Sequence, residues 1–326
     1  MISVIVPTFN RPESLLRAVR SLFAQTLAET GFKLIIVDNT PNATAAAAIA
    51  ALRTECPTSI AFVSLHDENP GVANARNTAM SAIEGNLVAF LDDDQSAPSD
   101  WLEQLLASYK SYPAACTFGP VRTVLPDGIS KHRAYFAHFF AREPDLRNGY
   151  IDESFGCGNA LVDFAQIEGS APWFDTRMNE MGGEDDLLFS RIRHSGGRFA
   201  WAVAAQVCEH PPVERVTLTY TLNRAFSYGQ APLTIAVTGA PKRFELVPVW
   251  MAVGAVKAVW HGLQWAALAF VRHKGRAFQL DLAIKGFSKL VWWIDLKFYG
   301  AAALKRSAPS EAPLAETLAP AAAKRA

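Results

Sequence analysis

The chain has 326 residues, half of them apolar, with 31 Lys/Arg against 31 Asp/Glu. That length suits one large α/β domain with an appendage, or two small domains, and supplies a sizeable core. Its four cysteines, Cys56, Cys116, Cys157 and Cys208, form no CxxC pair, which argues against a disulfide framework or a zinc site and for buried thiols in a reducing compartment.

Residues 2–6 are a first apolar strand that Pro7 stops. No basic region precedes the run and it is too short for a signal-peptide core, so it reads as structure. Pro12 suits the first position of a helix to about residue 25, in which Leu15, Leu16, Val19, Leu22 and Phe23 share a face. A second strand, 34–37, ends at Asp38-Asn39. An Ala-rich helix (43–53), a third strand (60–65), an Asn69-Pro70-Gly71 turn and a helix to about 83 follow. Residues 87–91 are a fourth apolar strand, and another helix begins near 99. Strands alternating with helices over short connections predict an α/β fold with a doubly wound, mostly parallel sheet flanked by helices.

Beyond 108 the rhythm loosens. Strands are expected over 117–125 and 155–162, and the aromatic stretch 135–150 between them carries no assignment. A helix over 184–194 closes at Ser195-Gly196-Gly197. Short strands cover 199–203 and 205–208, His210-Pro211-Pro212 ends them, and 217–228 reads as a helix.

From 242 the composition changes. Residues 1–241 hold 18 Lys/Arg against 26 Asp/Glu, a net −8, whereas 242–306 hold 11 against 3, a net +8. Such a split suggests different partners for the two parts. Residues 246–271 are almost wholly apolar and exceed the roughly 20 residues that a membrane span needs. Lys257 nevertheless sits mid-run, where a lysine costs about 2.5–3.5 kcal/mol. His261 and Gln264 add to that cost. A C-terminal helical segment lying in the membrane interface is therefore expected over 242–306, with Trp292, Trp293, Lys285, Lys289 and Lys297 at the headgroup level. The alternative is packing on the sheet or between copies. The Ala/Pro-rich 307–326 reads as disordered.

Chemistry concentrates where strands end. Asp92, Asp93 and Asp94 arrive together after the fourth strand, at the edge where open α/β sheets bind ligands. Adjacent carboxylates raise one another's pKa unless a cation sits among them. The fitting ion is Mg²⁺ or Mn²⁺, which takes one or two carboxylates and completes its shell with phosphates and water. The plainer use of Asp94 is as a helix cap. Thr8, Asn10 and Arg11 follow the first strand and its Pro7; Asp38 and Asn39 follow the second; Arg76 and Asn77 lie in the helix after Gly71. Asp38 suits a base or ribose, and Arg76 suits a phosphate beside a helix N-terminus. There is no GxGxxG after the first strand and no GxxxxGK[ST], which argues against a Rossmann dehydrogenase or a P-loop NTPase. Glu184, Asp185 and Asp186 open a helix, where each gains about 0.3–1 kcal/mol from the dipole. The functional alternative is a general base facing the metal. His210 is either a structural histidine or a ligand.

The stretches VIVPTFNRPESL, IIVDN, NPGVANARN, FLDDDQ and GGEDDLLFSRI cover about residues 1–200 in order. Together they resemble the inverting family 2 glycosyltransferases of GT-A fold. The resemblance implies that Asp38 contacts the nucleotide base and that Asp92 and Asp94 form the DxD motif, Asp94 being the direct metal ligand. It makes Glu184 and Asp185 the acidic catalytic pair, Asp185 the base, and His210 a contact to metal or diphosphate. Pro7, Thr8, Asn10, Arg11, Asn39, Arg76, Asn77 and Asp93 complete the implied nucleotide-sugar site. Asn223-Arg224-Ala225-Phe226 stands near where processive members carry QxxRW, which argues for one sugar per event. Residues 156–159 (GCGN) and 228–232 (YGQAP) look most like the bacterial exopolysaccharide branch, with its succinoglycan-type glucosyltransferases. The implied donor is a nucleotide sugar, UDP-hexose favoured, and the acceptor a lipid-linked or oligosaccharide glycan. The implied place is the cytoplasmic face of the inner membrane, with no nucleic-acid partner. The loops after Asp94 and around His210 are expected to move and exclude water. Two readings compete: a nucleotidyltransferase acting on sugar phosphates, and a non-catalytic membrane assembly partner.

Overall fold

The computed structural model describes residues 1–297 except 30, 240 and 295. The expected tail over 307–326, and Phe298 and Tyr299, lie outside the described residues.

The first 110 residues follow the predicted alternation. Parallel strands β1 (Ile2–Thr8), β2 (Lys33–Asp38), β3 (Ala61–His66) and β4 (Leu87–Phe90) lie side by side in the order β3-β2-β1-β4. They are connected by α1 (Pro12–Phe23), α2 (Ala46–Glu55) and α3 (Val72–Met80). Successive strand residues face opposite sides. Val4, Val6, Leu34 and Ile36 pack with α1, α2 and α4 (Trp101–Ser111). Ile5, Ile35, Val37, Val88 and Phe90 pack with α3 and α6 (Glu184–His194). A strand covered on both faces is apolar throughout, which is why these runs stand out in the sequence.

Pro7 does not stop β1. Ile5 O accepts from Leu91 N on the β4 side and Thr8 O accepts from Asn39 N on the β2 side. Pro7 therefore turns its missing N–H toward β4, so the Leu91 N–Ile5 O bond has no successor and the pairing with β4 ends there, while the pairing with β2 continues to Thr8.

The second half completes a mixed sheet of eight strands in the order β3-β2-β1-β4-β9-β6-β10-β8. Its new members are β6 (Cys116–Phe118), β8 (Gly149–Ile151), β9 (Ala160–Asp163) and β10 (Phe199–Trp201). β9 runs antiparallel to β4 and β6. A smaller sheet places β11 (Val207–Glu209) between β5 (Gln95–Ser96) and β7 (Val121–Thr123). The strand expected over 117–125 is thus two strands in two sheets. The chain changes sheet at Gly119-Pro120, where Asn159 Nδ2 donates to Pro120 O (2.7 Å) and Ala205 O (2.8 Å). The strand expected from 155 begins only at Ala160, because 155–159 runs beneath the site described below. The unassigned 135–150 contains most of α5 (Arg133–Phe140) and the start of β8.

The helix expected over 217–228 is α7 (Leu218–Thr238), which continues through Pro232. Proline denies the preceding turn one N–H donor. In that turn the buried ammonium of Lys289 donates to Gly229 O at 2.7 Å. Two more helices follow, α8 (Leu246–Phe270) and α9 (Arg276–Leu290). α9 packs on α5 and α7: Tyr135 donates to Asp281 (3.1 Å), and Phe278 meets the Tyr135 ring edge-on. α8 packs on α9 through Gly254 and Gly286, where a Cβ on Gly286 would come 2.5 Å from Ala258 N. Only Gly254 of α8 is buried. Val249, Ala252, Val256, Val259, Leu263, Ala266 and Phe270 recur at i+3 and i+4 and are exposed, so the outer face of α8 is an uncharged apolar stripe.

Candidate active site

The three aspartates after β4 occupy one turn but three environments. Gln95 N donates to Asp92 O (3.0 Å) and His210 N to Asp94 O (2.8 Å), so the turn is fixed at both ends. Asp93 is buried, accepts from Thr8 Oγ1 at 2.8 Å and pairs with Arg11 at 2.9 Å. Burial outweighs Arg11 and pushes the Asp93 carboxyl up to about 6. Asp94 is buried too, but Arg11 (2.6 Å) and Arg215 (3.3 Å) together outweigh burial and hold its carboxyl below the usual range. Asp92 is the open one: 37% of its side chain is exposed, and it stands 3.6 Å from Arg76. Burial still raises it, with Arg76 acting the other way.

The second acidic cluster is set by Gly182 and Gly183, whose positive φ angles (81° and 95°) turn the chain into α6. Glu184 then points inward and forms a buried ion pair with Arg76. Burial and the neighbouring Asp185 push Glu184 up to about 7 against the pull of Arg76. Asp185 is only half-buried. Its Oδ2 accepts from Cys157 N at 3.1 Å and its Oδ1 from Asp186 N at 3.0 Å, which fixes the carboxylate in place. Asp186, beside it, is raised to about 8 by burial and then by Asp185.

The loop 155–158 joins the two clusters. A Cβ on Gly158 would overlap the Asp92 carboxylate, and one on Gly156 would sit 3.1 Å from Asp185 Oδ2. Asp92 and Asp185 thus rest on one backbone two residues apart. Arg142 holds that backbone, donating to Gly156 O (2.8 Å) and to Gly158 O.

These groups line one cavity of about 500 Å³. Of the residues expected from the sequence, Pro7, Thr8, Arg11, Asn39, Arg76, Asp92, Asp93, Asp94, Glu184 and Asp185 face it. Four do not. Asn10 is an exposed left-handed turn residue (φ 55°) outside the cavity lining. Asp38 is buried and its oxygens are engaged by Thr40 N, Thr40 Oγ1 and Ala45 N. Asn77 clasps the backbone of Phe174 with both ends of its amide. His210 turns Nε2 to Ser96 Oγ (2.9 Å), and burial lowers its pKa. The segments after Asp94 and up to His210, expected to move, pair with each other as β5 and β11. Arg142, Glu209, Arg215, Arg224 and Tyr228 line the cavity without having been expected there. Arg142 and Arg215 are single residues in stretches without periodic signal or cluster, whereas Glu209 stands beside His210 and Arg224 and Tyr228 lie in motifs quoted above without a site role. Burial raises Glu209 to about 8, with Asp94 acting the same way.

Among the described residues no three His, Cys, Asp or Glu side chains are grouped to hold a metal. A hard divalent ion needs fewer, because substrate phosphates and water supply the other oxygens. Asp92, open to the cavity, and Asp94, in the same turn, fit that donor set; Asp94 already has Arg11 and Arg215 as counter-charges.

The sequence model of the family described as Glycosyl transferase family 2 matches residues 3–165. The Succinoglycan biosynthesis protein ExoM of Rhizobium meliloti (strain 1021) is 33% identical over 233 residues, 70% of this chain and 73% of that one. The Glucosyl-dolichyl phosphate glucuronosyltransferase of Haloferax volcanii is 30% identical over 143 residues, and the match spans only 43% of each chain. Among solved structures, S. aureus TarS 1-349 in complex with UDP-GlcNAc has a TM-score of 0.51, with 15% identity over 90% of this chain and 91% of that one. That likeness concerns the fold.

Proposed function

The chain belongs to glycosyl transferase family 2, and from that premise we propose that it is an inverting hexosyltransferase of bacterial surface or exopolysaccharide synthesis. It moves one sugar from a nucleotide sugar, UDP-linked by preference, to a lipid-linked or oligosaccharide acceptor. The observation that carries this reading is the shared loop. Asp92 and Asp185 meet 155–158 from its two ends, so a donor held at Asp92 presents its anomeric carbon toward Asp185.

The acceptor hydroxyl gives its proton to Asp185 as its oxygen attacks the anomeric carbon. The new C–O bond forms on the face opposite the diphosphate. The bond to the diphosphate breaks with its electron pair going to the nucleotide, so an α-linked donor yields a β-glycoside. Arg11 and Arg215 stand beside Asp94 to take the growing negative charge, and Arg142 keeps the loop from shifting. A divalent cation held by Asp92 and Asp94 would supply Lewis-acid neutralisation of the leaving group. Glu184 also borders the cavity, but its side chain is only 5% exposed and its carboxylate is paired with Arg76.

The test is a panel of nucleotide sugars with Mn²⁺, followed by product analysis. A UDP-hexose at 100 times its Kd is expected to add about 2.7 kcal/mol of stability, and turnover to release UDP and fall with chelator. Release of pyrophosphate instead would identify a nucleotidyltransferase and overturn this reading.

The C-terminal helices support a place at the membrane. α8 is apolar enough for a membrane span by length and composition, and its helical face away from α9 is exposed. Exposed Lys242 and Arg243 stand at its start, and Arg272 and Lys274 at its end. Basic residues beside an apolar helical face favour anionic lipid. We place the enzyme on the cytoplasmic face of the inner membrane, held by α8. The full-length protein is expected to float with anionic liposomes, less so at high salt. Val256→Glu/Leu263→Glu, which charges only the exposed stripe, is expected to leave it in the soluble fraction at unchanged Tm. Equal flotation of this variant would move the contact elsewhere.

A further inference from the structure

The corner that turns the chain into α6 cannot hold its own shape. Gly182 and Gly183 both stand in the left-handed region and bring no side chain to pack. Glycine also has more conformational freedom to lose than any other residue, so the corner must be held from outside. One hold comes from α3. The Asn179 side chain fills the notch at Gly71, where a Cβ would overlap it, and Asn179 Oδ1 accepts from Asn74 N at 3.2 Å. A second hold comes from the far end of the described chain, where Lys297 pairs with Glu180 at 2.6 Å. A strap delivers that lysine. Past α9 the chain is tied to α7, because the buried Gln230 donates its Nε2 to Ile294 O at 3.0 Å and to Val291 O at 3.4 Å. The next residue of α7, Ala231, lines the cavity, and so do Met181, Gly182 and Gly183 of the corner. The strap thus ties two walls of one cavity, α7 at Gln230 and the corner at Glu180.

We propose that Lys297 is a positioning residue of the transfer reaction: through Glu180 it holds the corner at 180–183, and with it the direction in which Glu184 and Asp185 leave that corner. The inference rests on the transferase reading above and adds to it a residue from outside the site. Neither Glu180 nor Lys297 lines the cavity, so the pair reaches the chemistry only through the corner. Asp185 is fixed on its other side by Cys157 N, and a corner that drifts pulls the carboxylate against that bond. Lys297 is 57% exposed and Glu180 33%. An exposed pair of this kind adds little to the stability of a whole fold. It is enough to narrow the range of two adjacent glycines, and that is the work assigned to it here.

Glu180→Lys and Lys297→Glu, each alone in the full-length protein, are expected to lower kcat by about two- to fivefold, the range that an exposed ion pair allows. The Kd for UDP and the Tm are expected to stay as in the parent. The exchanged pair Glu180→Lys/Lys297→Glu is expected to restore most of kcat, because the attraction returns with its two ends swapped. Turnover is read as UDP released from the UDP-hexose that the panel above selects. Amide hydrogen exchange is read on the same four proteins without substrate. Residues 180–186 are expected to exchange faster in each single variant and at the parental rate in the exchanged pair. Single variants with parental kcat, or with parental exchange at 180–186, overturn the proposal, and so does an exchanged pair no better than the singles. A parent protein that turns over no nucleotide sugar overturns the transferase reading instead, and the exchange rates then decide alone whether the strap holds the corner.

Discussion

Asp185→Asn is expected to lower sugar transfer by about 10²- to 10⁴-fold, the usual contribution of a general base, while UDP binding changes little. The reason lies in the division of work at the start of α6. Glu184 borders the cavity but is buried and paired with Arg76; Asp185 is half-buried, faces the cavity and is oriented by Cys157 N and Asp186 N. Asparagine preserves shape and keeps one acceptor oxygen, but it cannot take the acceptor's proton. Transfer is measured as glycoside formed, and donor affinity by titration with UDP. A collapse of UDP affinity with transfer reduced only in proportion would make Asp185 a donor-binding residue, and Asp186 would be the next base to test.

Arg76→Met is expected to destabilise the fold by about 3–5 kcal/mol, the cost of stranding one member of a buried ion pair. Arg76 and Glu184 are each only 5% exposed in their side chains. Removing the cation leaves Glu184 with burial and Asp185, both of which raise its pKa, and without the group that lowers it. Its folded pKa, already about 7, then moves further above the unfolded value of 4.5. The sign follows from linkage. A raised carboxyl contributes stability that is full below its unfolded pKa and is lost as pH rises through its folded pKa. The deficit of Arg76→Met should therefore be smaller at pH 5 than at pH 8. Arg76→Met/Glu184→Gln should recover much of it. Urea denaturation of the three proteins at both pH values measures this. A deficit equal at pH 5 and pH 8, with no recovery in the double variant, would mean that Arg76 acts by packing, through Phe90 and Phe174 below its guanidinium.

What the sequence made legible depended on whether a residue's role was local. β1, β2 and β4 are buried on both faces, so their apolar runs announce them, and the carboxylates at their ends follow in register. α6 was legible to the residue because Gly182-Gly183 precedes it and Ser195-Gly196 closes it. Long-range pairings left no such mark. Arg142 and Arg215 reach the site from 14 residues before Gly156 and 121 residues after Asp94. Nothing in their own neighbourhoods distinguishes them from surface arginines. The break of 117–125 into two strands depends on the Asn159 amide arriving from elsewhere. Lys289 donates to Gly229 O in the turn before Pro232 from 60 residues away. Asn77 and Asp38 show the converse: both stand in matching motifs, yet their polar atoms are taken up by Phe174 and by 40–45.

The pair Gly156 and Gly158 also bears on how portable this chemistry is. Neither needs the left-handed backbone that Gly182 and Gly183 require. What they provide is missing volume: the room a side chain would fill at 158 is where the Asp92 carboxylate lies, and at 156 the gap separates Asp185 from Arg142. An engineer grafting the site onto another α/β scaffold could rebuild the corner before α6 with any turn of the same shape. The glycine at 158 would have to go with the site, because a methyl there would displace the Asp92 carboxylate, whereas one at 156 would ask Asp185 and Arg142 to give by only a few tenths of an ångström.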